Sequence, residues 1–151
     1  MQRNNMISKL GISFAVISAL ALSGCAIHQS VSPVSQFNEK EICIIENTSV
    51  KNGFLESYRR ALTNKGYQVR QLPASASIVQ CPITTTYTAN WRWDLALYMA
   101  YAEIKVFNNG KPIGEAKYDS QRGGANMGKF IDADKKINEL TNQLFPGGSG
   151  S

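Results

Sequence analysis

The order of hydrophobic periods along this chain predicts an α+β fold. The expected architecture is a two-layer sandwich, a mostly antiparallel sheet of about four or five strands with two main helices on one face. Three observations predict it. A short apolar run is followed by a helical stripe and a second short strand. Two long alternating segments then face each other across a reversal. A last helical stripe closes the sequence.

Taken in order, residues 41–46 form a short apolar strand, buried on both faces, with Ile42, Cys43, Ile44 and Ile45 in succession. Val50, Phe54, Leu55, Tyr58, Ala61 and Leu62 then recur at helical spacing, and Gly66 is placed to end that helix. Arg59, Arg60 and Lys65 fall on its solvated side or at its end, where cations favour the macrodipole. Residues 67–72 are a short strand and residues 73–77 a loop of small side chains. Residues 83–93 alternate cleanly, with Ile83, Thr85, Tyr87, Ala89, Trp91 and Trp93 on one face and Thr84, Thr86, Thr88, Asn90 and Arg92 on the other.

Asp94 marks a reversal. Residues 95–107 place Ala96, Ala100, Ala102, Ile104 and Val106 on one face and Leu95, Leu97, Met99, Tyr101, Glu103, Lys105 and Phe107 on the other. Alanine, leucine and methionine favour helix over 95–102, but the segment's length and its Ile104-Lys105-Val106-Phe107 ending favour strand. Asn108-Asn109-Gly110 signals a hairpin. A bulged turn with Gly110 left-handed sets Val106, Ile104 and Ala102 against Pro112, Gly114 and Ala116; a two-residue turn sets Ile104 against Glu115. The bulged register is expected because it keeps small and apolar residues together. Phe130, Ala133, Ile137, Leu140 and Leu144 make the final stripe, with Asp132 and Asp134 near its start and Pro146 beyond it.

The N-terminus gives an address. Arg3 and Lys9 make a positive region, Leu10 to Leu22 an apolar one too short to span a bilayer as a mature helix, and Leu22-Ser23-Gly24-Cys25 ends it. This segment resembles the lipobox of bacterial lipoproteins. The resemblance implies diacylglycerol on the Cys25 sulfur, cleavage before it, and an N-acyl chain such as palmitate on the new terminus. Ala26 stands where the inner-membrane retention signal is an aspartate, which implies a lipid-anchored protein on the periplasmic face of the outer membrane. The expected organisation is a signal peptide at 1–24, lipidated Cys25 and a flexible tether at 25–38, a periplasmic domain at 39–146 and a flexible tail at 147–151.

Charge excludes one class of partner. Losing Arg3 and Lys9 from 16 basic side chains leaves 14 against 11 acidic ones, a net charge of +3 with no basic cluster. Nucleic-acid binding gets no support from such a balance. Cysteine usage is informative too. With Cys25 acylated, Cys43 and Cys81 remain in an oxidising compartment, which favours a disulfide between them, the alternative being two buried thiols. No Cys-x-x-Cys spacing marks a redox-active pair.

Chemistry is sparse. Gly123 to Lys129 satisfies the G-x-x-x-x-G-K spacing before a helix, but Phe130 stands where a magnesium-ligating Ser or Thr belongs, so a structural turn is expected and no nucleotide. His28 lies in the expected tether, where no triad or metal site can be organised, and Asp132, Asp134 and Glu139 make no metal motif. No catalytic residue, metal ligand or cofactor is assigned, and the chain is expected not to be an enzyme.

The segment from Thr86 to Asp94 is richest in recognition side chains, with Arg92 between two tryptophans. Trp91 and Trp93 filling the core and Arg92 pairing with Asp94 is the plain packing expectation. Leu97, Met99 and Tyr101, with Arg92, form the candidate binding surface, because the expected strand puts apolar groups opposite its alanine-rich core face. The runs Cys43-Ile44-Ile45-Glu46-Asn47, Gly66-Tyr67-Gln68-Val69, Tyr87-Thr88-Ala89-Asn90-Trp91-Arg92-Trp93-Asp94 and Gly123-Gly124-Ala125-Asn126 resemble a family of small proteobacterial lipoproteins of unknown function. That resemblance implies no activity. The element order is similar to that of outer-membrane assembly lipoproteins, an analogy of fold. The expected function is non-enzymatic binding of an envelope protein or glycolipid, the alternative being a carrier of lipid or a small hydrophobic ligand.

Overall fold

Each helical stripe folds where the spacing places it, and each is ended by its own sequence. In the computed structural model, which describes residues 26–148, α1 spans Asn52–Asn64 and α2 spans Ala133–Leu144. Gly66, at φ 90°, closes α1: its amide reaches the Thr63 carbonyl and the Tyr67 amide reaches that of Leu62, satisfying carbonyls the helix leaves open. Asp132 opens α2 by accepting from the Lys135 amide at 2.9 Å, and Asp134 adds a favourable charge in the first turn. Phe130 belongs instead to a short 3-10 turn at Met127–Phe130, before the helix.

The sheet is α+β as expected, with six strands rather than four or five: β1 (His28–Ser32), β2 (Glu41–Ile45), β3 (Gln68–Leu72), β4 (Ile83–Asp94), β5 (Ala96–Asn108) and β6 (Lys111–Asp119). Their spatial order is β1-β6-β5-β4-β2-β3. Antiparallel ladders join β1 to β6, β6 to β5 and β5 to β4, while β2 runs parallel to both β3 and β4. The sheet is therefore mixed.

One face packs against both helices. Ile42, Ile44, Ile83, Tyr87, Ile104 and Tyr118 from the sheet meet Phe54, Tyr58, Leu62, Ile137, Leu140 and Leu144 from the helices in one core. Phe54 stacks on Tyr87 with ring centroids 5.0 Å apart, and the buried Tyr58 hydroxyl shares a 2.9 Å hydrogen bond with Thr85. A smaller cluster of Cys43, Ile45, Leu72 and Cys81 lies apart from it, with Cys43 and Cys81 joined as the expected disulfide.

Three local expectations are corrected. The sixth strand lies within the segment read as a flexible tether. His28–Ser32 pairs with the free edge of β6, Val31 packs against the core, and Gln29 binds Glu139 and Gln143 of α2. Backbone ladder bonds on an open edge, rather than an apolar run, hold this strand.

The second correction is register. The turn takes two residues, Asn109 and Gly110, both at positive φ, and a bulge near Ile113 then sets Val106 opposite Gly114 and Ile104 opposite Ala116. Neither expected pairing occurs, although Ile104 does face a small residue.

The third matters most for function. Asn90 pairs with Tyr101 but Trp91 pairs with Met99, so Ala100 is an extra residue in β5. Because side chains alternate with period two, that bulge turns Leu97 and Met99 onto the helix-side face and leaves Tyr101 on the other.

Candidate functional site

The expected surface of Arg92, Leu97, Met99 and Tyr101 is divided by the Ala100 bulge. Met99 is buried in the main core at 1% exposure and is no surface residue. Leu97 is exposed near the end of the β4–β5 hairpin, opposite Trp93. Arg92 and Tyr101 lie on the sheet face away from the helices, in the same cross-strand rows as Tyr98 and Asn90. Two separate regions result, an open polar face and an apolar hairpin tip.

The open face is built from the polar half of each alternation. Glu103 pairs with Lys117 and Lys105 with Glu115, so charges of opposite sign stand side by side across β5 and β6, with Thr88 of β4 opposite Glu103. The Lys105 ammonium is 2.8 Å and that of Lys117 3.2 Å from the Glu103 carboxylate, and the Tyr101 hydroxyl donates to it at 2.8 Å. Partial burial pushes the Glu103 carboxyl up, but hydrogen bonds from Lys105, Tyr101 and Lys117 outweigh this and hold it below its ordinary range. Desolvation, then the Glu103 contact, pushes the Tyr101 hydroxyl up to about 12, so it remains a donor at neutral pH. A recess of about 370 Å³ adjoins this cluster, lined by Ser32, Lys105, Pro112 and Glu115. Arg92 binds the Gln121 side chain at 2.8 Å and does not pair with Asp94.

The tip is built differently. Beyond Asn90 and Tyr101 the hairpin runs on as Trp91–Asp94 against Ala96–Met99. Trp91 leans on the core with the Lys51 ammonium 5.6 Å from its ring centroid, but Trp93 is 74% exposed, so the expectation that both tryptophans fill the core is half right. Leu95, at the turn itself, is 86% exposed and takes φ 61°. The 3-10 turn at Met127–Phe130 is pinned beside the hairpin: Lys129 forms an ion pair with Asp94 and a hydrogen bond to the Gly124 carbonyl, and Phe130 packs edge-on to Tyr98.

Lys129 is thus committed to groups of its own chain, and the loop from Gly123 to Lys129 acts as a clasp on the hairpin. The Gly128 amide is already taken by the Asn126 side chain at 2.9 Å. Glu41, Cys43 and Cys81 bring metal-ligand atom types within 4.8 Å of one another. Both sulfurs are spent in the disulfide, and the Arg70 guanidinium sits 3.0 Å from Glu41 and 2.9 Å from the Cys81 sulfur, a cation where a metal would have to be. His28 lies at the outer edge of the sheet, paired in register with Asp119. Cys25, the expected lipidation site, lies outside the described residues.

Fold and surface define a class, an α+β sandwich with one helix-covered face, one open polar face and an apolar hairpin tip. Among solved structures the chain is similar to the PelC dodecamer from Paraburkholderia phytofirmans, at 12% identity and a TM-score of 0.52, covering 82% of this chain and 98% of that one. A leucine-to-methionine variant of that dodecamer matches at 9% identity and a TM-score of 0.51, covering 79% and 94%. At such identities the likeness shows the fold alone. No protein-family model and no curated protein matches the chain.

Proposed function

We propose that this chain is an outer-membrane lipoprotein, anchored through Cys25, whose periplasmic domain is a non-enzymatic binding module for an envelope protein or a glycolipid. The observation that carries the binding role is the open face. The helices α1 and α2 cover only one side of the sheet, and the other presents an ordered cluster of Tyr101, Glu103, Lys105 and Lys117 beside Arg92. Its donors and acceptors are held in place before any partner arrives, which lowers the ordering cost of binding. A polar partner such as a saccharide headgroup or a charged protein surface suits it. The carrier alternative has less support, because it needs Met99 at the surface and Met99 is buried.

The PelC neighbours are dodecamers by description, so a second copy of this chain is one partner to be tested. A photo-reactive residue at Thr88, which is exposed on this face, in the full-length protein would be irradiated in intact cells and the products separated. Adducts to one envelope protein, to glycolipid or to a second copy, lost on Arg92→Ala with Tyr101→Phe in a protein that still folds, support a binding face. No adduct from any of several positions on the face removes it.

A further inference from the structure

We infer that the β4–β5 tip is a second membrane contact, in which Trp93, Leu95 and Leu97, with Met127 of the turn clasped to the hairpin, enter the interfacial layer of the bilayer that holds the lipid anchor. This rests on the lipoprotein assignment proposed above, and the open face is not part of it. Four observations carry it.

The first is composition. The tip offers a tryptophan and two leucines, exposed at 74%, 86% and 52%, and Met127 at 70% lies on the turn clasped to it. Tryptophan with leucine at a projecting end suits the boundary between headgroups and acyl chains.

The second is direction. β6 runs toward the tip end of the sheet, since it and β4 both lie antiparallel to β5. β1 is antiparallel to β6, so it runs away from the tip, and the chain before His28 leads toward it. Ile27 already lies beside Gly128, its Cδ1 3.4 Å from where a Cβ on that glycine would stand. The four residues from Trp91 to Asp94 carry the hairpin about 13 Å beyond Asn90. Cys25 stands three positions before His28 in the sequence, a reach of about 10 Å. That reach brings the anchor to the plane the tip meets, while the end of α2 lies toward the far end of β1, where the Val34 amide bonds to the Leu144 carbonyl.

The third is backbone. Leu95 occupies the left-handed region that favours glycine, with an exposed side chain that buries nothing within the chain in return. The fourth is charge. Arg122 is exposed just after β6, at the tip end of the sheet, where headgroup phosphates would lie, and Lys129 neutralises Asp94.

The test uses the full-length protein purified from membranes, with Trp91→Phe leaving Trp93 as the single remaining tryptophan of the two in the chain. It is reconstituted into vesicles of phosphatidylethanolamine and phosphatidylglycerol, with or without bromine on the acyl chains. Mass spectrometry of the N-terminal peptide accompanies each preparation. Acylated Cys25 with loss of Trp93 emission in brominated vesicles, relieved by Leu95→Glu with Leu97→Glu in the same background, is the expected result. Acylated protein whose Trp93 emission is equal in both vesicles overturns the tip contact and leaves the lipoprotein assignment standing. Cross-links between tips of two copies, without quenching, overturn it likewise. A Cys25 peptide without acyl mass removes the lipoprotein assignment and this inference with it.

Discussion

The two ends of β4 carry one alternating pattern into opposite surroundings. At its start, Ile83, Thr84 and Thr85 are fully buried, flanked by β2 on one side and β5 on the other. The disulfide from Cys43 to Cys81 ties β2 to the segment entering β4. At its end, Arg92, Trp93 and Asp94 have β5 as their one neighbouring strand and are exposed. Alternation decides which face a side chain takes; burial depends on whether a neighbouring strand and a covering helix exist at that level. The closed end is therefore a stability region and the open end a surface region, within one strand.

Substitutions can break this contrast. The largest effect is expected at Met99→Lys, which places an unpaired charge in the core: a loss of about 3–5 kcal/mol by denaturant unfolding. A cost near zero would put Met99 back on the surface. Next comes Cys81→Ser at the closed end. Opening a crosslink over a separation of 38 residues costs about 4 kcal/mol by the chain-entropy relation, and thiol labelling of the parent protein under denaturing, non-reducing conditions should find neither Cys43 nor Cys81 free.

Smaller effects sharpen the comparison at the open end. Leu95→Gly should raise stability by about 1 kcal/mol, since glycine relieves the left-handed backbone without losing buried area. Stability unchanged or lowered would mean that the leucine packs within the chain. On the open face, Glu103 titrates below its ordinary value of 4.5 in the folded state. Its ion-pair stabilisation is complete above that value and is lost as pH falls through the lower folded value. Unfolding measured down an acid series should show this loss, diminished in Glu103→Gln. The smallest change is expected for Leu97→Glu, within about 0.5 kcal/mol, as at other exposed positions.

Much of this was legible from residues. The stripes at Phe54, Tyr58 and Leu62 and at Ile137, Leu140 and Leu144 read as helices because each buries one face, and Gly66 ends α1 for a backbone reason visible in one letter. The pairing of Cys43 with Cys81 followed from the cysteine count and the expected compartment. The candidate surface was partly legible: Arg92, Leu97 and Tyr101 reach solvent or the open face, whereas Met99 does not. Ala100 carries no mark of a bulge, since neither glycine nor proline signals it, and one extra residue was enough to exchange the faces beyond it.

By itself, then, the sequence determined the α+β class, both helices, the long hairpin and the disulfide partners, because periodicity, end signals and cysteine count act within short stretches of chain. The tertiary structure alone decided that His28–Ser32 is a strand, that Met99 faces inward, and that Lys129 is held by Asp94. Each of these depends on a partner supplied by a distant segment: the free edge of β6, the register of β4 against β5, and a carboxylate 35 residues away. Local pattern fixes what an element is, while the neighbour it meets fixes which of its groups remain for binding.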